Sequence, residues 1–217
     1  MSDDERRTVT VSGRGEVSAP PDLGHLRLGV RVTNRDPDSA LRVANERIAA
    51  VQEALTVEGV ASEDITLGWF SVTMVHDHID GRRTFRGYQV SHDLAVTVRA
   101  IERTGALLSI AVHAGADDVR GVSFSVEDPS PLIDRARELA YANARHKADQ
   151  LARLAGATLG PVVSIRETTY EPVPVERHEL RNMSAAYSLA ERAPDVPINP
   201  DDADFSVQVE VVWALGA

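Results

Sequence analysis

The 217-residue chain contains no cysteine. Disulfide scaffolds, cysteine nucleophiles and thiolate metal sites are therefore excluded. Aromatic residues are scarce, at 5%, so the core has to be assembled mainly from Val, Leu, Ile and Ala. Basic residues are not in excess: 23 Lys and Arg stand against 33 Asp and Glu, a net charge of −10. Proteins that grip nucleic acid ordinarily present a basic surface, so no nucleic-acid partner is expected. No stretch approaches the ~20 apolar residues that cross a bilayer, so no membrane span is expected. The opening residues MSDDERRTVTVSG hold neither an apolar leader segment nor a small-residue cleavage site, which points to a cytoplasmic protein.

What remains is an ordinary soluble composition, 43% hydrophobic and 26% charged. Residues 1–7 are charged and read as a disordered N-terminus. Val9 and Val11 begin a short strand, which the Gly13-Arg14-Gly15 step is expected to end. From Leu26, the residues Leu26, Leu28, Val30 and Val32 alternate with polar partners, the signature of a strand with one wet face. Asp36-Pro37-Asp38-Ser39 starts a helix capped by Asp38 or Ser39, with Leu41, Ala44, Ile48, Val51 and Leu55 inward and Gly59 as its stop. A strand from Ile65 turns near Asp80-Gly81 and returns through Tyr88, Val90, His92, Leu94, Val96 and Val98 as a long hairpin.

A second helix spans about 102–114, and Val122, Phe124 and Val126 mark the next strand. Asp128-Pro129-Ser130-Pro131 opens a long third helix. Its Ala136, Leu139, Ala140, Ala144, Ala148, Leu151 and Ala155 face inward, and this alanine-rich inner side lets it lie close to a neighbouring element. Val162, Val163 and Ile165 begin a further strand, residues 171–203 read as a Pro-rich loop or insertion, and Phe205 to Trp213 alternate as a central strand. The order is β-β-α-β-β-α-β-α-β-β. It predicts an α+β fold, an antiparallel-rich sheet with three helices packed mainly on one face, in a single domain over 8–216. The passages 23–75 and 88–126 look like a weak internal duplication of β-α-β.

Taken together in order and spacing, these pieces resemble the SIMPL domain family, long catalogued as a domain of unknown function. The likeness is carried by Gly13-Arg14-Gly15 with Pro21-Asp22, by Ala54-Leu55 to Gly59-Val60, and by Gly87-Tyr88 with Val96-Thr97-Val98-Arg99. Gly115-Ala116 with Gly121-Val122-Ser123-Phe124, and the Ala136–Ala155 run with Leu159-Gly160, complete it. One departure is Asn199-Pro200-Asp201-Asp202 where the family often has a P-G step. The resemblance implies bacterial relatives, many exported, among them periplasmic immunogenic and oxidative-stress-associated proteins. It also implies ring-shaped or channel-like homo-oligomers, a kinase-adaptor role for an animal relative, and no catalytic residue set.

Candidate chemistry is thin. His76 and His78 share one face of a strand and, with Asp80, are the weak candidates for a metal site. A hairpin tip is equally a place where His and Asp are simply solvated, so no metal site is assigned. His92 could approach from the paired strand. Gly13-Arg14-Gly15 lacks the third glycine and the helix of a dinucleotide site. Ser184 and Ser188 have no base in view, His146 lies between Arg145 and Lys147 on a solvated helical face, and Trp69 and Trp213 read as core or interface anchors. No catalytic residue and no cofactor is expected. The expected function is a non-enzymatic, self-associating scaffold or binding protein linked to stress, with a protein or peptide partner at a sheet edge. The rival reading is a small metal-dependent enzyme built on the 76–80 turn and the 171–203 loop.

The acidic balance yields a direct test. In an electrophoretic mobility assay at physiological salt the protein leaves duplex DNA unshifted, and tight, salt-sensitive retention would contradict the charge argument.

Overall fold

The computed structural model describes residues 7–79, 81–172 and 200–216. The elements are β1 (Thr8–Ala19), β2 (Leu23–Asn34), α1 (Pro37–Val57), β3 (Ile65–Ile79), β4 (Arg82–Val98), α2 (Thr104–His113), β5 (Asp118–Ser125), α3 (Ser130–Leu154), β6 (Thr158–Pro172) and β7 (Ala203–Gly216). The α+β class and the element order are those the sequence predicts. The strands divide between two antiparallel sheets, β1-β7-β6 and β3-β4-β2-β5, each in its own compact unit.

The first unit joins β1, α3, β6 and β7. β7 is central and pairs along its whole length with β1. Its inward Val207, Val209, Val211 and Trp213 pack with Val11 and with Ala136, Ala140, Ala144 and Ala148 of α3. Those alanines recur every fourth residue, so they form one stripe along the helix. The Gly13-Arg14-Gly15 step does not end β1, which continues to Ala19. A Cβ on Gly13 would collide with the Ala140 carbonyl and lie 2.6 Å from Ala144 N, and one on Gly15 would lie 2.5 Å from Ala140 N. The glycines are there because strand backbone touches helix backbone.

Side chains of α3 then hold the edge of β1. The Arg14 amide donates to Asn143 Oδ1 at 3.3 Å and Lys147 Nζ donates to the Ser12 carbonyl at 2.8 Å. Arg137 grips Glu167 of β6 through Nε and Nη2, at 2.8 and 3.2 Å. That guanidinium holds the Glu167 carboxyl below the usual carboxylate range. Leu151 and Ala155, expected inward, are exposed, because the stripe that meets the sheet runs through Ala148 and Ala152.

The second unit contains β2 to β5 with α1 and α2. β2 and β3 run parallel with β4 between them, and β4 and β5 run parallel with β2 between them. The two β-α-β passages seen in the sequence are thus interlocked in the split β-α-β order of ferredoxin-like folds. Leu26, Leu28, Val30, Val90, Leu94 and Val96 meet Ala44, Val51, Leu55 and Leu108 in one core, so both helices cover the same face. The N-cap of α1 is Asp36, not Asp38 or Ser39. Its Oδ2 accepts from the Ser39 amide at 2.8 Å, which holds its carboxyl below the ordinary range. Leu41 is 37% exposed while Ala40 is fully buried, a one-residue shift of the helix face.

Strand pairing reaches beyond the expected start, since the Arg7 carbonyl accepts from the Leu215 amide at 2.7 Å. At the other boundary β6 extends to Pro172 and β7 begins at Ala203. Most of the segment read as a 171–203 loop, with Ser184 and Ser188, lies outside the described residues, as do residues 1–6 and Asp80.

The glycine contact predicts a stability loss. Gly13→Ala or Gly15→Ala forces α3 away from β1 and lowers the urea midpoint, with overpacking of this kind costing about 1–3 kcal/mol or more. An unchanged midpoint would show that strand and helix stand further apart.

Candidate functional site

The side chains proposed for metal binding do not converge. His76 lies opposite Phe85 and His78 opposite Arg83, whereas His92 lies opposite Phe70. Position 76 lies six steps along the strand from position 70, about 20 Å of extended chain. Arg83 Nη2 donates to His76 Nδ1 at 3.3 Å, and the ring stacks edge-on to Phe85 at 5.8 Å. Asp77 belongs to the other face of the strand and pairs with Arg86 at 3.5 Å. Among the described residues no group of three metal-ligating side chains comes together. The Asp80 contribution lies outside them.

Polar groups gather instead on the face of the four-stranded sheet turned away from α1 and α2. The alternation that sends Leu94 and Val96 into the core sends Asp93 and Ala95 to this face. Both edge strands carry a β-bulge at the same level. In β3 the register jumps between Leu67 and Phe70, so that Gly68 and Trp69 together oppose Asp93. In β5 the jump leaves Arg120 unpaired beside Gly121, where β2 passes from Arg27 to Leu28. Bulges re-aim side chains, and here they turn Trp69 and Arg120 toward Asp93 from opposite edges.

The result is a concavity of about 400 Å³ lined by Arg27, Trp69, Asp93, Arg120, Gly121 and Ser123. Arg120 Nη1 donates to Asp93 Oδ2, and Arg120 Nε donates to Asp118 Oδ2 at 3.1 Å. Arg31 Nη2 reaches the same Asp118 oxygen at 2.9 Å. The second oxygen of Asp93, Oδ1, is buried without a hydrogen-bond partner. His92 is the other orphan. Its Nδ1 is buried and unpaired on the helix-facing side, where the ring meets Phe70 edge-on at 5.5 Å. An unsatisfied buried group costs about 1–3 kcal/mol, and among the described residues Asp93 Oδ1 has no donor.

Next to the concavity, His25 Nε2 and Ser125 Oγ lie 2.7 Å apart. That is the reach of a base and a nucleophile, but no third group orients the ring among the described residues. His146 is exposed, as its solvated-face reading implies. Trp213 is a core residue at 2% exposure, and Trp69, read as a core or interface anchor, is 60% exposed on its bulge. Sequence patterning could not place Asp93 or Arg120. The available signal was a glycine inside a strand, Gly68 and Gly121, which marks a bulge.

Burial first, and then the charge of Arg27, hold the His25 pKa below the ordinary histidine value. The unfolded chain therefore binds the proton more readily than the folded one. Stability from this group is full above about pH 6.5 and falls as pH drops through the folded pKa. Urea midpoints measured between neutral and acid pH should decline less in His25→Gln than in the natural chain, and parallel curves would refute this.

Comparison with known proteins adds the rest. The family described as SIMPL, "Protein of unknown function (DUF541)", matches residues 9–213. The uncharacterized protein YggE of Escherichia coli K12 is 32% identical over 209 residues, covering 95% of this chain and 82% of that protein. The 26 kDa periplasmic immunogenic protein of Brucella melitensis is 32% identical over 216 residues, covering 95% and 84%. The human interleukin-1 receptor-associated kinase 1-binding protein 1 is 24% identical over 199 residues, covering 89% and 73%. The Brucella protein overturns the cytoplasmic expectation, which rested only on the missing leader pattern. A leader is independent of the fold that follows it, so a fold shared with a periplasmic protein carries no mark of the cytoplasm. With the match running from Val9 to Trp213 and relatives alike over nearly their whole length, the chain belongs to the SIMPL family.

Proposed function

We propose that the protein is a non-enzymatic binding protein that works as a homo-oligomer, with copies meeting through the β3–β4 hairpin. One observation carries this reading. Phe70, Val72, Met74 and Phe85 are 45%, 45%, 64% and 42% exposed. Their register places them together, because Val72 faces Val90 and Met74 faces Tyr88 on the same side of the ribbon. Apolar side chains this large and contiguous favour a partner over water. Among the described residues β3 is also an edge strand, a surface suited to pairing with another copy.

The absence of enzymatic activity belongs to the same proposal. It is supported by the way the ionisable groups of the bulged face neutralise one another as Arg120–Asp93 and Arg120–Asp118 pairs. Among the described residues of that face no acid is left beside a separate base. The periplasm, named for the Brucella relative, is the compartment proposed for this chain, and envelope stress the setting of the assembly. Across the described residues no helix is long and apolar enough to cross a membrane.

Light scattering at micromolar concentration is expected to give a multimer. Val72→Lys combined with Met74→Lys should dissociate it while far-UV circular dichroism stays unchanged, since both side chains are already exposed. A strict monomer, or a multimer indifferent to the two lysines, would overturn the proposal.

A further inference from the structure

We propose that the bulged face of the four-stranded sheet is a saccharide site. Its ligand is a neutral or acidic pyranose stacked on Trp69 and hydrogen-bonded between Asp93 and Arg27. The site lies on the opposite face from the exposed hairpin side chains, so it stands or falls independently of self-association.

Four observations converge. The indole of Trp69 is 60% exposed on a bulge that turns it toward Asp93, an open aromatic face suited to the C–H side of a sugar ring. Asp93 Oδ1 is buried and has no donor among the described residues, while Oδ2 is held by Arg120, so the carboxylate is fixed in place with one oxygen unpaired. Arg27 stands one diagonal away, opposite Ala95 and Gly121, and is exposed with no ion-pair partner among the described residues. A sugar hydroxyl both donates and accepts, so one vicinal pair of hydroxyls can donate to Asp93 Oδ1 and accept from Arg27.

The fourth observation is the space itself. A Cβ on Gly121 would meet nothing within 4 Å, so glycine leaves the floor open. Gly29 and Gly68 flank the carboxylate, and a Cβ on either would sit 3.3–3.5 Å from Asp93 or its neighbours. The cavity of about 400 Å³ is of the size that holds a small ring. Charge decides the kind of sugar. Among the lining residues Arg27 and Arg120 outnumber Asp93, so the site repels an ammonium group and favours a neutral or carboxylate-bearing ligand.

The chain has two tryptophans, and only Trp69 is accessible, since Trp213 is 2% exposed. The Trp69 indole N–H resonance is therefore a clean reporter. Titration with D-glucose, D-glucuronate and D-glucosamine at millimolar concentrations is expected to shift it saturably for the first two. Glucuronate binds at least as tightly as glucose, and glucosamine more weakly than both. Trp69→Ala should abolish binding when glucuronate is followed by calorimetry. Arg27→Gln should remove any advantage of glucuronate, and Asp93→Asn should weaken both sugars by about tenfold or more, the loss of a hydrogen bond to a charged group. Trp69 and Arg27 are exposed, so those two variants keep the fold even if Asp93→Asn does not. No saturable shift with any of the three sugars would overturn the proposal and leave Asp93 Oδ1 to a lone water. So would glucosamine binding as tightly as glucuronate, or binding undiminished in Trp69→Ala.

Discussion

The bare backbone of β1 at Gly13 and Gly15 rests directly on the alanine stripe of α3, and the first unit is built around that contact. With a Cβ excluded at both glycines, strand and helix approach until main-chain atoms touch. Each alanine buries little surface, and the stabilisation comes from dense dispersion contacts between two backbones rather than from large side chains. The geometry fixes what else can be present. A larger residue at 136, 140 or 144 would lift the helix, so bulk has to come from β7, whose Val207, Val209, Val211 and Trp213 fill the remaining space. A chain with only 5% aromatic residues can afford this core because closeness does the work that ring volume does elsewhere.

The second unit solves burial differently. Its two central strands, β2 and β4, face α1 and α2 with unbroken rows of Leu and Val, and this core holds them rigidly. Its edges are free to depart from regular pairing, and both do so at one level. A bulge on each edge strand costs local ladder hydrogen bonds and leaves Asp93 with an unpaired oxygen, yet the central strands carry enough burial to tolerate both. Departures from local rules that bring charged, aromatic and small residues together over a rigid base are where binding is to be sought.

Periodicity in the sequence revealed much of this. Alternation located β2, β4 and β7, helical spacing located α1 and α3, and the element order emerged intact. Periodicity identifies the buried face of an element to within a residue or so, as Leu41 and Leu151 show, but not which element covers it, and the misreadings at Gly13-Arg14-Gly15 and His92 share that second cause. Gly13-Arg14-Gly15 looked like a turn because a glycine in a strand is compatible with either a break or a close approach. The alanine stripe that decides between them lies more than a hundred residues away. His92 seemed able to join His76 and His78 until the register placed it opposite Phe70. Trp69 read as a core or interface anchor, and its 60% exposure on the bulge removes only the core alternative.

The same reasoning separates two kinds of exposed surface in the second unit. The hairpin face of Phe70, Val72, Met74 and Phe85 exposes large apolar side chains on a strand that is at the sheet edge among the described residues, and such a surface can be satisfied by any complementary apolar sheet. The opposite face is concave, charged and carries a buried oxygen that lacks a donor, and that oxygen accepts only a group with the right hydrogen-bonding pattern in the right place. Apolar area confers adhesion with little discrimination, whereas an unpaired buried acceptor penalises every occupant that fails to donate to it. A single sheet can therefore carry an association surface on one side and a selective site on the other, since the strict alternation of strand side chains keeps the two sets of residues apart.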